Sequence, residues 1–261
     1  MASDNDAGTE PALRQPLLFK RLEPIDPARH AGLKLDRAGR NYRFAEGVSA
    51  VPLTLQEFAA AAANYPIVFS DGPEPMPLAV LGYRPGENLF IEPDGNWTPG
   101  FHIPWYVRCY PFAVFTARQP GSLVACLDAE GAGIGPLIGD PLLENGALSP
   151  LLQEILRFCQ AYNQAIEETR ALGKALEAAG LLTQHEALVA LGGERPPARL
   201  AGFWAADAAK FLALPDKTFL GWRKNGLLGP VYQHLQSLNC WPSLSTAAAR
   251  RLDRTAKTAA E

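Results

Sequence analysis

The stretch SPLLQEILRFCQAYNQAIEETRALGKALEAAG, Ser149 to Gly180, carries the strongest helical signal in the chain. Ser149 is placed to accept a hydrogen bond from the unpaired backbone N–H groups of a first turn. Pro150 follows at the first helical position, where a missing N–H does no harm. Gly180 supplies the left-handed stop, so the spacing predicts a helix to about Ala179. Leu152, Ile155, Cys159, Tyr162, Ile166, Thr169, Gly173 and Leu176 recur every three or four residues and define one buried face. Glu154/Arg157 and Glu167/Arg170 decorate the exposed side at helical spacing. A helix this long with one apolar face needs a surface to lie on, and the flanking sequence reads as the sheet that supplies it.

Upstream the period is two, or the runs are short and apolar. PLLFKRL (Pro16 to Leu22) reads as a first strand, with extended character again at Tyr42 to Ala45 and Val48 to Leu53. Thr54 and Glu57 form a T-x-x-E capping box ahead of LQEFAAAAANY, a helix that must stop before Pro66. PIVFS, MPLAVLGY and ENLFIEPDGNW read as strands, the last ending in the turn dipeptide Asp94-Gly95. PFAVFTA and SLVACLDA flank Arg118 to Gly121 as a hairpin. Residues 129 to 148 read as a glycine- and proline-rich loop.

Downstream, EALVAL and ARLAGFWAA read as two more strands. Asp207 caps a short helix, a second begins near Asp216, and GPVYQHLQSL gives a last one. The expectation is one α+β domain: a mainly antiparallel N-terminal sheet, a long central helix on it, and a helical C-terminal portion containing a small hairpin. Its limits are residues 15–242, with a flexible N-terminus over 1–14 and a peripheral or frayed tail over 243–261.

Composition excludes several classes. The chain has 261 residues, is 48% hydrophobic and 20% charged, and carries a net charge of −3, so no global field recruits nucleic acid. No apolar run reaches the roughly 18 to 20 residues of a membrane span. Asp4, Asp6 and Glu10 sit where a secretory leader needs a basic start and an apolar middle, which points to the cytoplasm. Cys109, Cys126, Cys159 and Cys240 have no C-x-x-C spacing and read as reduced, mostly buried thiols.

No coherent catalytic set, metal site or cofactor loop emerges. GAGIG (Gly131 to Gly135) resembles a dinucleotide loop, but Pro136 stands where its third glycine belongs. His30, His102, His185 and His234 are dispersed and read as surface or half-buried imidazoles. FHIPWYVRCYPF (Phe101 to Phe112) is the one chemically dense stretch. It reads first as a crossing of the core, with alternate aromatics inward. A second reading makes His102, Trp105, Arg108 and Tyr110 a ledge on which a planar ligand stacks while Arg108 grips a carboxylate. A third makes Cys109 a nucleophile activated by Arg108 with His102 as base.

The blocks YRFAEGVSAVPLTLQEFAAAAANYPIVF, MPLAVLGYRPGENLFIEPDGNW, IPWYVRCYPF, CLDAE, ILRFCQAYNQAIEETRAL and LAGFWAADAAKFLALPDKTFLGWRKNGLLGPVYQHLQSL resemble the SapC family in order, across about Pro16 to Leu238. The resemblance implies no established reaction. The family's name comes from a surface-layer-associated protein and is shared with an unrelated membrane permease, which this sequence does not resemble. Members often lie beside outer-membrane receptors and halogenase-like or cupin-like proteins, which implies a part in uptake or in modifying peptides or small molecules. The chain departs from the family in its glycine-rich loop after CLDAE, where relatives are more acidic. It departs again in the two prolines of GGERPPARL. Two functional expectations follow: an accessory protein binding a peptide, a small ligand or a partner protein, or an enzyme or enzyme subunit using scattered residues near 101–112.

Overall fold

A computed structural model describes residues 16–39, 41–116 and 123–258. The elements, in chain order, begin with β1 (Leu22–Pro24), α1 (Pro27–His30), β2 (Lys34–Leu35), β3 (Ala50–Pro52), α2 (Phe58–Ala61), β4 (Ile67–Phe69) and β5 (Pro77–Val80). Next come α3 (Trp105–Cys109), β6 (Phe112–Thr116), β7 (Leu123–Asp128), β8 (Ile134–Gly135), β9 (Asp140–Pro141), β10 (Leu143–Glu144), β11 (Ala147–Leu148) and α4 (Pro150–Ala178). The chain continues with β12 (Leu182–Val189), β13 (Ala198–Ala206), α5 (Ala208–Leu212), α6 (Asp216–Lys224), α7 (Leu228–Ser237) and α8 (Trp241–Thr258).

The architecture is α+β with antiparallel pairing throughout. A five-stranded sheet runs β12-β13-β4-β5-β3, and a three-stranded one runs β1-β7-β6. Trp204 opposite Phe69 welds the C-terminal hairpin onto the N-terminal strands. Each sheet backs its own apolar cluster, and α4 spans both. Leu152, Leu156, Cys159 and Tyr162 pack with Phe112, Val114 and Leu127, while Leu172 and Leu176 join the larger cluster with Tyr65, Ile67 and Phe69. The helix is the beam between the two cores.

Its ends follow the sequence logic. Ser149 is extended and accepts from Leu152 N–H at 3.2 Å, Pro150 opens the helix, and Gly180 adopts φ +64°. Gly173 faces Pro75 so closely that a Cβ would lie 1.8 Å from the Pro75 carbonyl oxygen. Ile155 and Ile166 are only half-buried, whereas Leu156, Ala165 and Leu172 are buried, so the inward stripe is rotated slightly from the one expected.

Several local expectations are corrected. The first strand starts at Leu22, not Pro16, because the N–H groups of Lys20 and Arg21 go to the Asp128 carboxylate instead of a ladder. Residues 43–45 form a 3-10 turn, held where Asn41 Oδ1 accepts from Arg43 N–H and Gly95 O from Tyr42 N–H. ENLFIEPDGNW makes a single bridge, Ile91 to Trp97, around its turn. The loop 129–148 carries short ladders, with β8 and β9 flanking β2 and β10 paired to β11. The C-terminal stretch, read as peripheral or frayed, is α8, with Leu244 and Ala248 fully buried. The turn Arg118 to Gly121 and residues 1–14 lie outside the described residues.

Two histidines read as surface or half-buried are buried: His30 and His234. His234 Nε2 accepts from Ala206 N–H at 2.9 Å, its ring meets Phe69 edge-on, and Nδ1 has no partner among the described residues. Burial pushes its pKa down from 6.5 to about 4. The unfolded chain therefore binds a proton that the folded chain refuses between those two values. Stability from this group is fully present above pH 6.5 and is lost as pH falls toward 4, by at most about 3 kcal/mol. Urea midpoints between pH 7.5 and 5 are expected to fall more in the wild type than in His234→Gln, which keeps a side-chain acceptor but does not titrate. Parallel profiles would show that His234 does not set the slope.

Candidate functional site

The segment 101–112 is fixed from both ends by groups far away in sequence. The Thr54/Glu57 box forms as the spacing predicts, with Glu57 Oε2 accepting from Thr54 N–H at 3.0 Å and from the Thr54 hydroxyl at 2.9 Å. The other oxygen, Oε1, lies 2.9 Å from His102 Nε2 and 2.6 Å from Trp105 N–H. Trp105 opens α3, so its N–H is one of the orphan donors of a helix start, and Pro104 before it cannot supply a hydroxyl or carboxylate cap. Glu57, 1% exposed, caps that helix from 48 residues away.

The rest of the segment is equally tied. His102 N–H donates to Asn64 Oδ1 at 2.7 Å, and His102 O accepts from the Tyr65 hydroxyl at 2.6 Å. Trp97 Nε1 donates to the same hydroxyl. Phe101 packs on Tyr65 and Phe90. Helix α3 ends at Tyr110 because Pro111 disfavours continuation. Tyr110 then stacks on Phe44 and donates to Asp128 Oδ2 at 3.0 Å. Asp128 is fully buried; burial alone would raise its pKa, but donors from Lys20, Arg21, Glu130 and Tyr110 hold it below the usual carboxylate value.

This geometry sorts the four ledge residues. Trp105 and Arg108 share a face, because the segment is a helix and they are three apart. Trp105 is half-buried with its ring 5.5 Å from Phe158, and Arg108 is exposed with its guanidinium 4.7 Å above the same ring. Tyr110 does not join them. It follows the last residue of α3 and points into the core, 1% exposed. His102 is turned toward Glu57, its side chain 17% exposed.

The cysteine reading fails on the same geometry. His102 Nε2 is engaged by Glu57, while the buried Cys109 thiol meets Cys159. That contact and burial both push the Cys109 thiol far above its ordinary range, which removes the thiolate a nucleophile needs. Among the described residues, no three His, Cys, Asp or Glu side chains converge as a metal site requires. Among them too, no helix is long and apolar enough to cross a membrane.

Beside α3 lies a cleft of about 400 Å³, within the range of small-ligand sites. Leu35, Arg37, Tyr42, Arg108, Glu154 and Phe158 are among the residues that line it. Arg37 also pairs with Asp140 at 3.1 Å. Phe158, Tyr42 and Arg37 were not singled out from the sequence. Phe158 sits four residues after Glu154, a spacing that marks a shared helix face, and this was the one local signal for it. A broader groove of about 820 Å³ runs between β6 and α4. Its polar lining is largely self-paired, Arg170 with Glu167 and Glu74, and Asn163 with the Val114 carbonyl.

A family model described as SapC matches residues 25–244. No curated protein and no solved structure matches the chain.

Proposed function

The chain belongs to the SapC family, and from that premise we propose that it is a non-catalytic binding protein whose cleft beside α3 holds a carboxylate-bearing peptide or small ligand. The observation that carries this reading is the Arg108 guanidinium lying over the Phe158 ring at the wall of the cleft. Stacking on an aromatic face fixes the plane of the guanidinium, and its charge draws a carboxylate to that wall. A charge-assisted pair of that kind supplies both energy and direction. Tyr42 and Phe158 offer apolar area for the body of the ligand. The reading takes residues 15–242 as one binding unit. It places that unit in the cytoplasm, where four buried free thiols stay reduced. The enzyme alternative loses its best candidate with Cys109.

The test uses N-acetylphenylalanine as probe, titrated by calorimetry into the wild type and Arg108→Ala. Arg108 is exposed, so the variant should keep the wild-type melting temperature within a degree or two. Affinity is expected to fall about tenfold, the loss of one charge-assisted pair. Equal affinity in the two proteins, or no binding to the wild type, overturns the reading.

A further inference from the structure

We infer that Cys109 and Cys159 are a redox pair, which a small peroxide converts to a disulfide joining α3 to α4. The two are 50 residues apart in the chain and meet because α3 packs on α4. The Cys109 thiol is hydrogen-bonded to Cys159. Cys159 Sγ in turn lies 4.0 Å from the Cys109 carbonyl oxygen and 3.8 Å from that of Phe112. Both cysteines line one cavity of about 90 Å³, with Tyr106, Tyr162 and Asn163 among its other walls. The Tyr162 hydroxyl has no hydrogen-bond partner among the described residues, although the residue is only 9% exposed. Cys126 and Cys240 do not line this cavity, and Cys240 Sγ donates to the Ala62 carbonyl at 3.2 Å.

The cavity sets which oxidant reacts. A water molecule takes about 30 Å³ of liquid, so a cavity of about 90 Å³ receives a molecule of two oxygens but not a tripeptide disulfide. Cys159 attacks first, since burial and the bond to Cys159 keep the proton on Cys109. The Cys159 sulfur bonds one peroxide oxygen and the O–O bond breaks. The other oxygen leaves as water with the Cys159 thiol proton, and the Tyr162 hydroxyl is the donor at hand for it. The sulfenic acid formed on Cys159 then faces the Cys109 thiol. The Cys109 sulfur displaces the sulfenic oxygen, which leaves as a second water with the Cys109 proton. The two thiols lose two electrons and the peroxide gains them. The new bond ties the residue after Arg108 to the residue after Phe158, and so pins together the two helices at the wall of the cleft. It does not depend on what the cleft binds.

The test treats the folded wild type with hydrogen peroxide or, separately, with oxidised glutathione. Free thiols are then capped with N-ethylmaleimide and the protein is digested with trypsin without reduction. Trypsin cuts after Arg108 and Arg157, so the bridge is read as Cys109–Arg118 linked to Phe158–Arg170. Peroxide is expected to give this linked pair with a loss of about 2 Da, the two hydrogens removed. It should do so about tenfold faster than oxidised glutathione at equal concentration, because access decides the rate. Dithiothreitol should restore both thiols. In Cys109→Ser, dimedone present during treatment should label Cys159, whose sulfenic acid has lost its partner. A folded wild type that yields no 109–159 link under peroxide, or that links as fast with oxidised glutathione, overturns the inference. So does dimedone labelling at Cys126 or Cys240 in place of Cys159 in the serine variant, its fold checked by circular dichroism.

Discussion

Glu57→Ala is expected to lower the unfolding free energy by about 3 kcal/mol or more, because several donors lose one shared buried acceptor together. Three groups lose their acceptor at once: Thr54 at the start of the 55–61 helical turn, the His102 ring, and Trp105 N–H at the start of α3. Thr54 is buried and His102 and Trp105 are partly so, which leaves the vacated donors poorly hydrated and makes the loss exceed that of a surface hydrogen bond. Glu57→Gln is the sharper comparison. It preserves volume but turns one acceptor oxygen into a donor, which must then face either the Thr54 pair or the His102 and Trp105 pair. The glutamine variant is expected to fall between wild type and alanine in denaturant midpoint. Amide exchange at Trp105 should accelerate in both variants, because the bond that protects it passes through Glu57 alone. Unchanged exchange at Trp105 would show that α3 is held by other contacts.

Gly173→Ala is the second large effect. The new methyl would lie 1.8 Å from Pro75 O and 2.9 Å from Pro75 C, backbone atoms that cannot swing aside as a side chain can. Helix α4 must move away from the 70–76 turn, or that turn must move, and either shift opens the larger core at Leu172 and Leu176. Overpacking of this kind costs about 3 kcal/mol or more, although alanine is the better helix former by roughly 1 kcal/mol. A net rise in melting temperature would mean that the turn yields freely. The cleft near Phe158 lies four turns away along α4, so ligand affinity per folded molecule should be unaffected.

What was legible in the sequence was what is decided within a few residues. Ser149, Pro150 and Gly180 announce α4 through the hydrogen-bonding needs of its own ends, and Asp207 announces α5 in the same way. The Thr54/Glu57 box was visible for that reason too. Its second role was not, because the demand for an acceptor arises at Trp105, whose position depends on the finished fold. Residues 43–45 look extended by composition but curl because Gly95 captures Tyr42 N–H across the chain. The candidate site shows the same division. Aromatic and arginine density is what drew the 101–112 segment out of the sequence. The ledge reading grouped Trp105, Arg108 and Tyr110 with His102, whereas the short helix keeps Trp105 beside Arg108 and sends Tyr110 to Asp128. The partner surface, Phe158 with Tyr42 and Arg37, comes from other parts of the chain, and beyond the Glu154/Phe158 helical spacing it has no local signature.

The cleft beside α3 is the centre of this account, and chemical-shift mapping with phenylacetate tests it most directly. The predicted result is a saturable set of shifts at Tyr42, Arg108, Glu154 and Phe158, including the Arg108 Nε–H, and its disappearance in Arg108→Ala. Shifts clustered instead around Gln160 and Gln164 in the groove between β6 and α4, or no saturable shifts at all, would contradict it.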